Sequence, residues 1–136
     1  MKKYEFFEHA SEIKFRAYGR TIERAFENTA LAISDILSRG DKVEPAGVKK
    51  IEIEGENNES LLYDFIDELI YLLDAEHFIV AKAIVKIQGK KLEAKVFGDD
   101  ALKYPGMDSI KAATYSEMHV KQNKDGNWEV QIVVDV

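Results

Sequence analysis

The period of the apolar pattern switches from strand-like to helical and back, twice, and nothing else constrains the fold of this chain as strongly. Residues 3–9 and 13–18 form two short aromatic-rich strand segments separated by "ASE". Ile22, Ala25, Phe26, Thr29, Ile33, Ile36 and Leu37 then recur every three or four residues, which puts them on one stripe of a helix. Thr21 is placed to cap that helix, and Arg39 with Gly40 supplies a basic last turn and a left-handed stop. "VKKIEIEGE" alternates as a strand does. After "GENNES" a second helical stripe begins, with Leu62, Phe65, Ile66, Leu69, Leu72 and Leu73 widened by Leu61 and Ile70. Two hairpins follow, one around Gly89 and one around the Asp125-Gly126 turn signal. Between them "DDALKYPGMDSIK" reads as a loop of about a dozen residues, a length often reserved for function. The order β-β-α-β-α-β-β-β-β describes an α+β fold, a mostly antiparallel sheet with two packed helices, in one domain spanning residues 1–136.

A chain of 136 residues buries a full core, and its 46% apolar and 32% charged content is that of a folded chain. Cysteine is absent, which excludes disulfides, thiolate metal sites and cysteine nucleophiles and fits a reducing compartment. Lys2 and Lys3 are followed by no apolar run, and three acids interrupt "LLYDFIDELIYLL". The expectation is a cytoplasmic protein with no membrane span. The net charge is −6, and from Ile51 to Ala81 nine acids occur without one Lys or Arg. Such a segment repels phosphate backbones. Lys86, Lys90, Lys91 and Lys95 lie on the first hairpin without interleaved stacking aromatics, as on a solvated strand edge, so tight direct nucleic-acid binding is not expected.

Three places hold residues with chemical capacity. In the last strand, Trp128, Val130, Ile132, Val134 and Val136 share one face and Glu129, Gln131, Val133 and Asp135 the other. Asp135 either solvates a strand end or joins the neighbouring terminal carboxylate in a hard-oxygen set. With Glu12 added, that set suits Ca²⁺ or Mg²⁺. His9 is either an acid–base group or a structural hydrogen-bonder. His77 follows the second helix as a charge partner for its C-terminus, and His119 shares a polar strand face with Glu117 and Lys121. Asp64, Asp67 and Glu68 sit at i, i+3, i+4, as a carboxylate cluster or a solvated helix face. No Gly-rich phosphate loop, GxSxG elbow or HExxH occurs.

Several stretches, in order, resemble the archease family. "FEHASEIKFRAYG" is similar to the archease opening F-E-H-T-A-D-I-x-x-x-A-x-G, and the likeness runs through "TIERAFENTALAI", "VEP" at 43–45 and "LLYDFIDELIYLLD". It resumes at "KAATYSEMHV" and ends in the acidic terminus "VVDV", so it covers nearly the whole chain. The resemblance implies a non-enzymatic cytosolic accessory protein whose partner is an RtcB-type RNA ligase of tRNA splicing and RNA repair. Its expected action is to promote guanylylation of the ligase and its multiple turnover. It further implies a divalent metal, Ca²⁺ or Mg²⁺, held by Glu12, Asp135 and Val136, with His9 and Lys111 as contacts to the partner. An acidic helper suits a basic, RNA-binding enzyme, because opposite charge steers the encounter.

Two departures from the family pattern stand out. Glu12 replaces the family Asp and is one methylene longer, and "YPGMDSIKA" stands where H-P-x-G-T-E-V-K-A is usual, with Tyr104 in place of histidine and Lys111 kept. Two rival functions belong to other classes. A general chaperone or protein-binding modulator without a metal role needs an exposed apolar patch. A metal-dependent phosphohydrolase built on Glu12, His9 and Asp135 needs slow metal-dependent turnover of phosphate esters.

Overall fold

A computed structural model describes residues 1–7 and 11–136 of the chain. The element order matches the one expected, but the strands divide into two sheets. Sheet A has four strands in the order β1 (Tyr4–Phe7), β2 (Glu12–Gly19), β7 (Trp128–Asp135) and β6 (Ala112–Gln122). Sheet B has three, β3 (Gly47–Glu54), β5 (Lys91–Asp100) and β4 (Phe78–Gln88). Every pairing is antiparallel. The last strand lies between β2 and β6, so it ties its own hairpin partner to a strand from the other end of the sequence.

Helix α1 (Ile22–Ser38) starts where Thr21 accepts the Arg24 amide. It stops at Arg39, which itself takes the left-handed conformation (φ 56°) just before Gly40 (φ 85°). Helix α2 (Asn58–Glu76) begins inside "GENNES", not after it: Asn57 and Ser60 cap each other's backbone in a reciprocal box. Each helix touches both sheets, α1 against β2, β7 and β4 and α2 against β6, β4 and β3. That double contact explains the breadth of the apolar stripes. Phe26 and Phe65 meet across the helices with ring centroids 5.9 Å apart, both fully buried. Each such ring contributes about 2–3 kcal/mol through burial. Leu73 is only half-buried, while Leu61 and Ile70 lie inside with the rest of the stripe.

β4 is an edge strand of sheet B, and its outer edge faces α1, where Glu27 accepts the Val85 amide at 2.8 Å. The sharp entry from β2 into α1 depends on Gly19, where a Cβ would lie 2.4 Å from the Ala25 nitrogen. Tyr18 closes the same corner by accepting from the Asn28 side-chain amide.

Candidate functional site

Glu12 and Asp135 are direct cross-strand partners, and Ala112 of β6 stands opposite Asp135 on its other side. Directly opposed residues project from the same face with Cβ atoms about 5 Å apart. The two carboxyl-bearing side chains, one from each end of the sequence, therefore share one patch of sheet A. The backbone of Lys111 closes the patch, its amide donating to the Asp135 carbonyl at 2.8 Å. Glu12 and Asp135 are half-buried, whereas Lys111 and Val136 are exposed. His9 lies outside the described residues. Among the described residues, no group of three His, Cys, Asp or Glu side chains converges as a metal cage. The donor types present are hard oxygens, the two carboxylates of Glu12 and Asp135. They fit a divalent cation that keeps several waters, as Mg²⁺ does, or the looser shell of Ca²⁺.

The same face of sheet A continues away from this patch as a polar network that is partly sealed from water. Glu129 and Gln131 are only 8% and 6% exposed, so each needs partners. Glu129 receives His119 Nε2 at 2.7 Å, Lys121 Nζ at 3.5 Å and Arg16 Nε at 4.0 Å. Burial pushes its carboxyl up, but the His119 hydrogen bond and the Lys121 and Arg16 charges outweigh this and hold it below the ordinary glutamate value. Arg16 also donates to Gln131 Oε1 at 2.8 Å and lies 4.9 Å from the Phe7 ring centre. At the β1–β2 edge the Tyr18 hydroxyl donates to Glu5 at 2.6 Å, and burial together with that carboxylate pushes the phenol up to about 12.

Gln131 then donates from Nε2 to the Glu117 carbonyl at 2.7 Å, which pins an irregular stretch of β6. Between Thr114 and His119 the register against β7 shifts, and Glu117 adopts φ 54°. Lys14 meets the Glu117 carboxylate at 3.1 Å, and the Tyr115 ring of β6 stacks on Tyr63 of α2, with centroids 4.4 Å apart. Bulges of this kind re-aim side chains and gather beside functional sites. Simple alternation puts Glu117, His119 and Lys121 on one face, and it breaks at this bulge. The charges on β7 were visible in the sequence. Their partners on β2 and β6 were not.

The segment after β5 is a pinned connection. Its first residues extend β5, and a 3-10 turn follows at Ala101–Lys103. Tyr104, in the position of the family histidine, accepts the Glu44 amide and donates to Asp99 Oδ2 at 2.8 Å, tying "VEP" to the end of β5. The Glu44 amide draws the phenol down, but burial and the Asp99 carboxylate prevail and raise it. Asp108 donates its amide to the Leu37 carbonyl, and Lys111 then reaches Asp135. The other sequence candidates fall elsewhere. Burial, reinforced by Asp67, Asp64 and Glu76, raises the Glu68 carboxyl, as expected of a crowded acidic helix face. His77 caps α2 through its backbone in the left-handed conformation.

The sequence profile of the Archease protein family matches residues 4–136. "Protein archease" from Pyrococcus abyssi is 39% identical, covering 100% of both chains. "Protein archease" from Sulfurisphaera tokodaii is also 39% identical over 100% of both. The solution structure of Methanobacterium thermoautotrophicum protein 1598 superposes with a TM-score of 0.80 at 29% identity, covering 100% of each chain. Among the described residues, no helix is long and apolar enough to cross a membrane. Similarity in sequence and fold along the full length shows that the chain belongs to the archease family, which is one of accessory proteins in RNA processing, not of enzymes.

Proposed function

We propose that this protein activates an RtcB-type RNA ligase in tRNA splicing and RNA repair, promoting its guanylylation and repeated turnover through a divalent-metal site at Glu12, Asp135 and Val136. The observation that carries this reading is the register that sets Glu12 opposite Asp135, with the Lys111 amide on the Asp135 carbonyl. A bound Ca²⁺ or Mg²⁺ would supply a positive charge that organises the carboxylates and presents open coordination positions to the ligase centre. The remaining work belongs to the chain itself. β7, held on both sides by β2 and β6, fixes the Asp135 backbone, and the Lys111 backbone is bonded to it, so the exposed Lys111 would serve beside the carboxylates as a cation for phosphate or carboxylate on the partner.

Activation requires the helper to bind the nucleotide-accepting state of the ligase more tightly than the spent state. The Glu12/Asp135/Lys111 corner is the element that discriminates between them. Glu12 reaches further than the family Asp, and Mg²⁺ tolerates off-geometry ligands less than Ca²⁺ does. A Glu12→Asp variant therefore shifts metal preference without removing the activity. Asp135→Asn removes one charge from the donor set at a half-buried position, so the account predicts loss of ligase stimulation with an unchanged circular dichroism spectrum. Full stimulation by folded Asp135→Asn protein would take this site out of the mechanism.

A further inference from the structure

The open face of sheet B carries a charge pattern that the acidic sum of the chain conceals. Its outward residues stand in rows across the strands: Val48, Phe97 and Lys82 in one, Lys50, Lys95 and Ile84 in the next. Neither of these rows contains an acid; the row beyond them pairs Glu52 with Glu93 beside Lys86 and bounds the basic area on that side. Lys50 and Lys95 face each other directly, an arrangement that destabilises a sheet unless an anion relieves it. Among the described residues neither lysine, nor Lys82, enters an ion pair, and Lys82 lies 5.6 Å from the centre of the Phe97 ring. Val48 and Ile84 beside them are 58% and 57% exposed.

Lys82 also borders a second feature, which extends the basic surface around the edge of β4. A cleft of about 610 Å³ between α1 and β4 is lined by Lys3, Arg20, Arg24 and Lys82, with Glu27 the acid among its lining residues. Glu27 is already engaged, by the Val85 amide and by Arg24 at 3.2 Å. Cleft and sheet face thus join at Lys82 into one track of cations on a molecule whose net charge is −6. Glu52 and Glu93 border the track at one end and Glu27 engages Arg24, but Lys50, Lys82 and Lys95 form no ion pair among the described residues, and an aligned set of such cations fits a ligand that is itself a line of negative charges. An acidic protein surface would match the charge but not the continuous course from the cleft onto the sheet.

We infer that this track is a docking surface for the phosphodiester backbone of single-stranded RNA. Arg20 follows the last residue of β2 and Glu12 is its first, so the track and the carboxylate corner lie at opposite ends of an eight-residue strand, about 24 Å apart. One end of the molecule engages the partner's reaction centre, and the other holds the RNA chain passing alongside. Five or so cations give a weak contact, micromolar or weaker at physiological salt, with a log–log salt slope of about −3.5.

The test is fluorescence anisotropy of a labelled 12-nucleotide single-stranded RNA titrated with the full chain and no ligase. Binding should weaken about 100-fold between 50 and 200 mM salt. The triple variant Lys50→Glu, Lys82→Glu, Lys95→Glu should bind at least tenfold more weakly at the lower salt, and Arg20→Gln, which alters no strand, should weaken binding in the same direction. Circular dichroism confirms that each variant is folded. Asp135→Asn should bind RNA as the parent does, so failure of the RNA track and failure of the ligase reading are separate results. No binding at 50 mM salt, or binding indifferent to these variants, would overturn the inference. So would a triple variant that loses co-purification with the ligase while binding RNA normally, since the face would then dock a protein.

Discussion

Glu129 bears directly on the integrity of sheet A. It is nearly sealed, it faces His119, Lys121 and Arg16, and its carboxyl is held below the ordinary value of 4.5. A depressed folded-state pKa means that the charged form is favoured by the fold. Its stabilisation is complete above the ordinary value and is lost as pH falls below 4.5 through the depressed one. Glu129→Gln should therefore cost about 2 kcal/mol at neutral pH, and much less once the parent's own carboxyl is protonated. Urea melts at pH 7 and pH 3 check this, and an equal loss at both would refute it. Tyr104 makes a prediction of another kind. Tyr104→Phe removes both the acceptor of the Glu44 amide and the donor to Asp99, so Glu44 amide exchange should accelerate while the α1 amides keep their protection.

The elements were legible to very different degrees. Both helices could be read to within a few residues, because an apolar stripe at helical period has few alternatives and capping side chains mark its start. The α2 boundary slipped because "GENNES" looks like a loop, while Asn57 and Ser60 there form the box that begins the helix. Asn57→Ala should cost about 1 kcal/mol, measurable as a lower urea midpoint with an unchanged slope. The division into two sheets was not legible, since alternation gives the faces of a strand but not its neighbours. The β6 bulge was hidden for the same reason: Glu117 at φ 54° is set by Gln131 and Lys14, which are distant in sequence. Glu12 and Asp135 were nameable as residues with suitable oxygens. Only the β2–β7 register brings them together.

At the scale of the molecule, the two ends of β2 separate two chemistries. At one lies the half-buried pair of carboxylates beside Lys111, and at the other a cationic cleft that continues onto sheet B. The acidic α2 face is a third region, and in the proposed complex it would steer the molecule towards a basic partner while leaving the lysine track available. The whole-chain charge of −6 averages over this segregation, and the sequence alone, with its acids clustered over 51–81, showed no sign of how the cations of separate elements meet on one surface. An accessory protein gains from such an arrangement, because it engages an enzyme without occupying the same surface with the enzyme's substrate. The chaperone alternative needs one large contiguous apolar patch; the exposed Val48 and Ile84 lie near each other on sheet B but among lysines, and Phe6, Tyr71, Leu102 and Tyr115 come from other elements of the fold.

The most direct test of the central claim is a ligation time course with the RtcB-type ligase limiting, GTP and divalent metal present, and this protein added or withheld. The account predicts that ligation rises from about one round per enzyme to many when the protein is added, and that Asp135→Asn protein leaves it near one round. Unchanged ligation by an active ligase in the presence of the folded parent protein would contradict it.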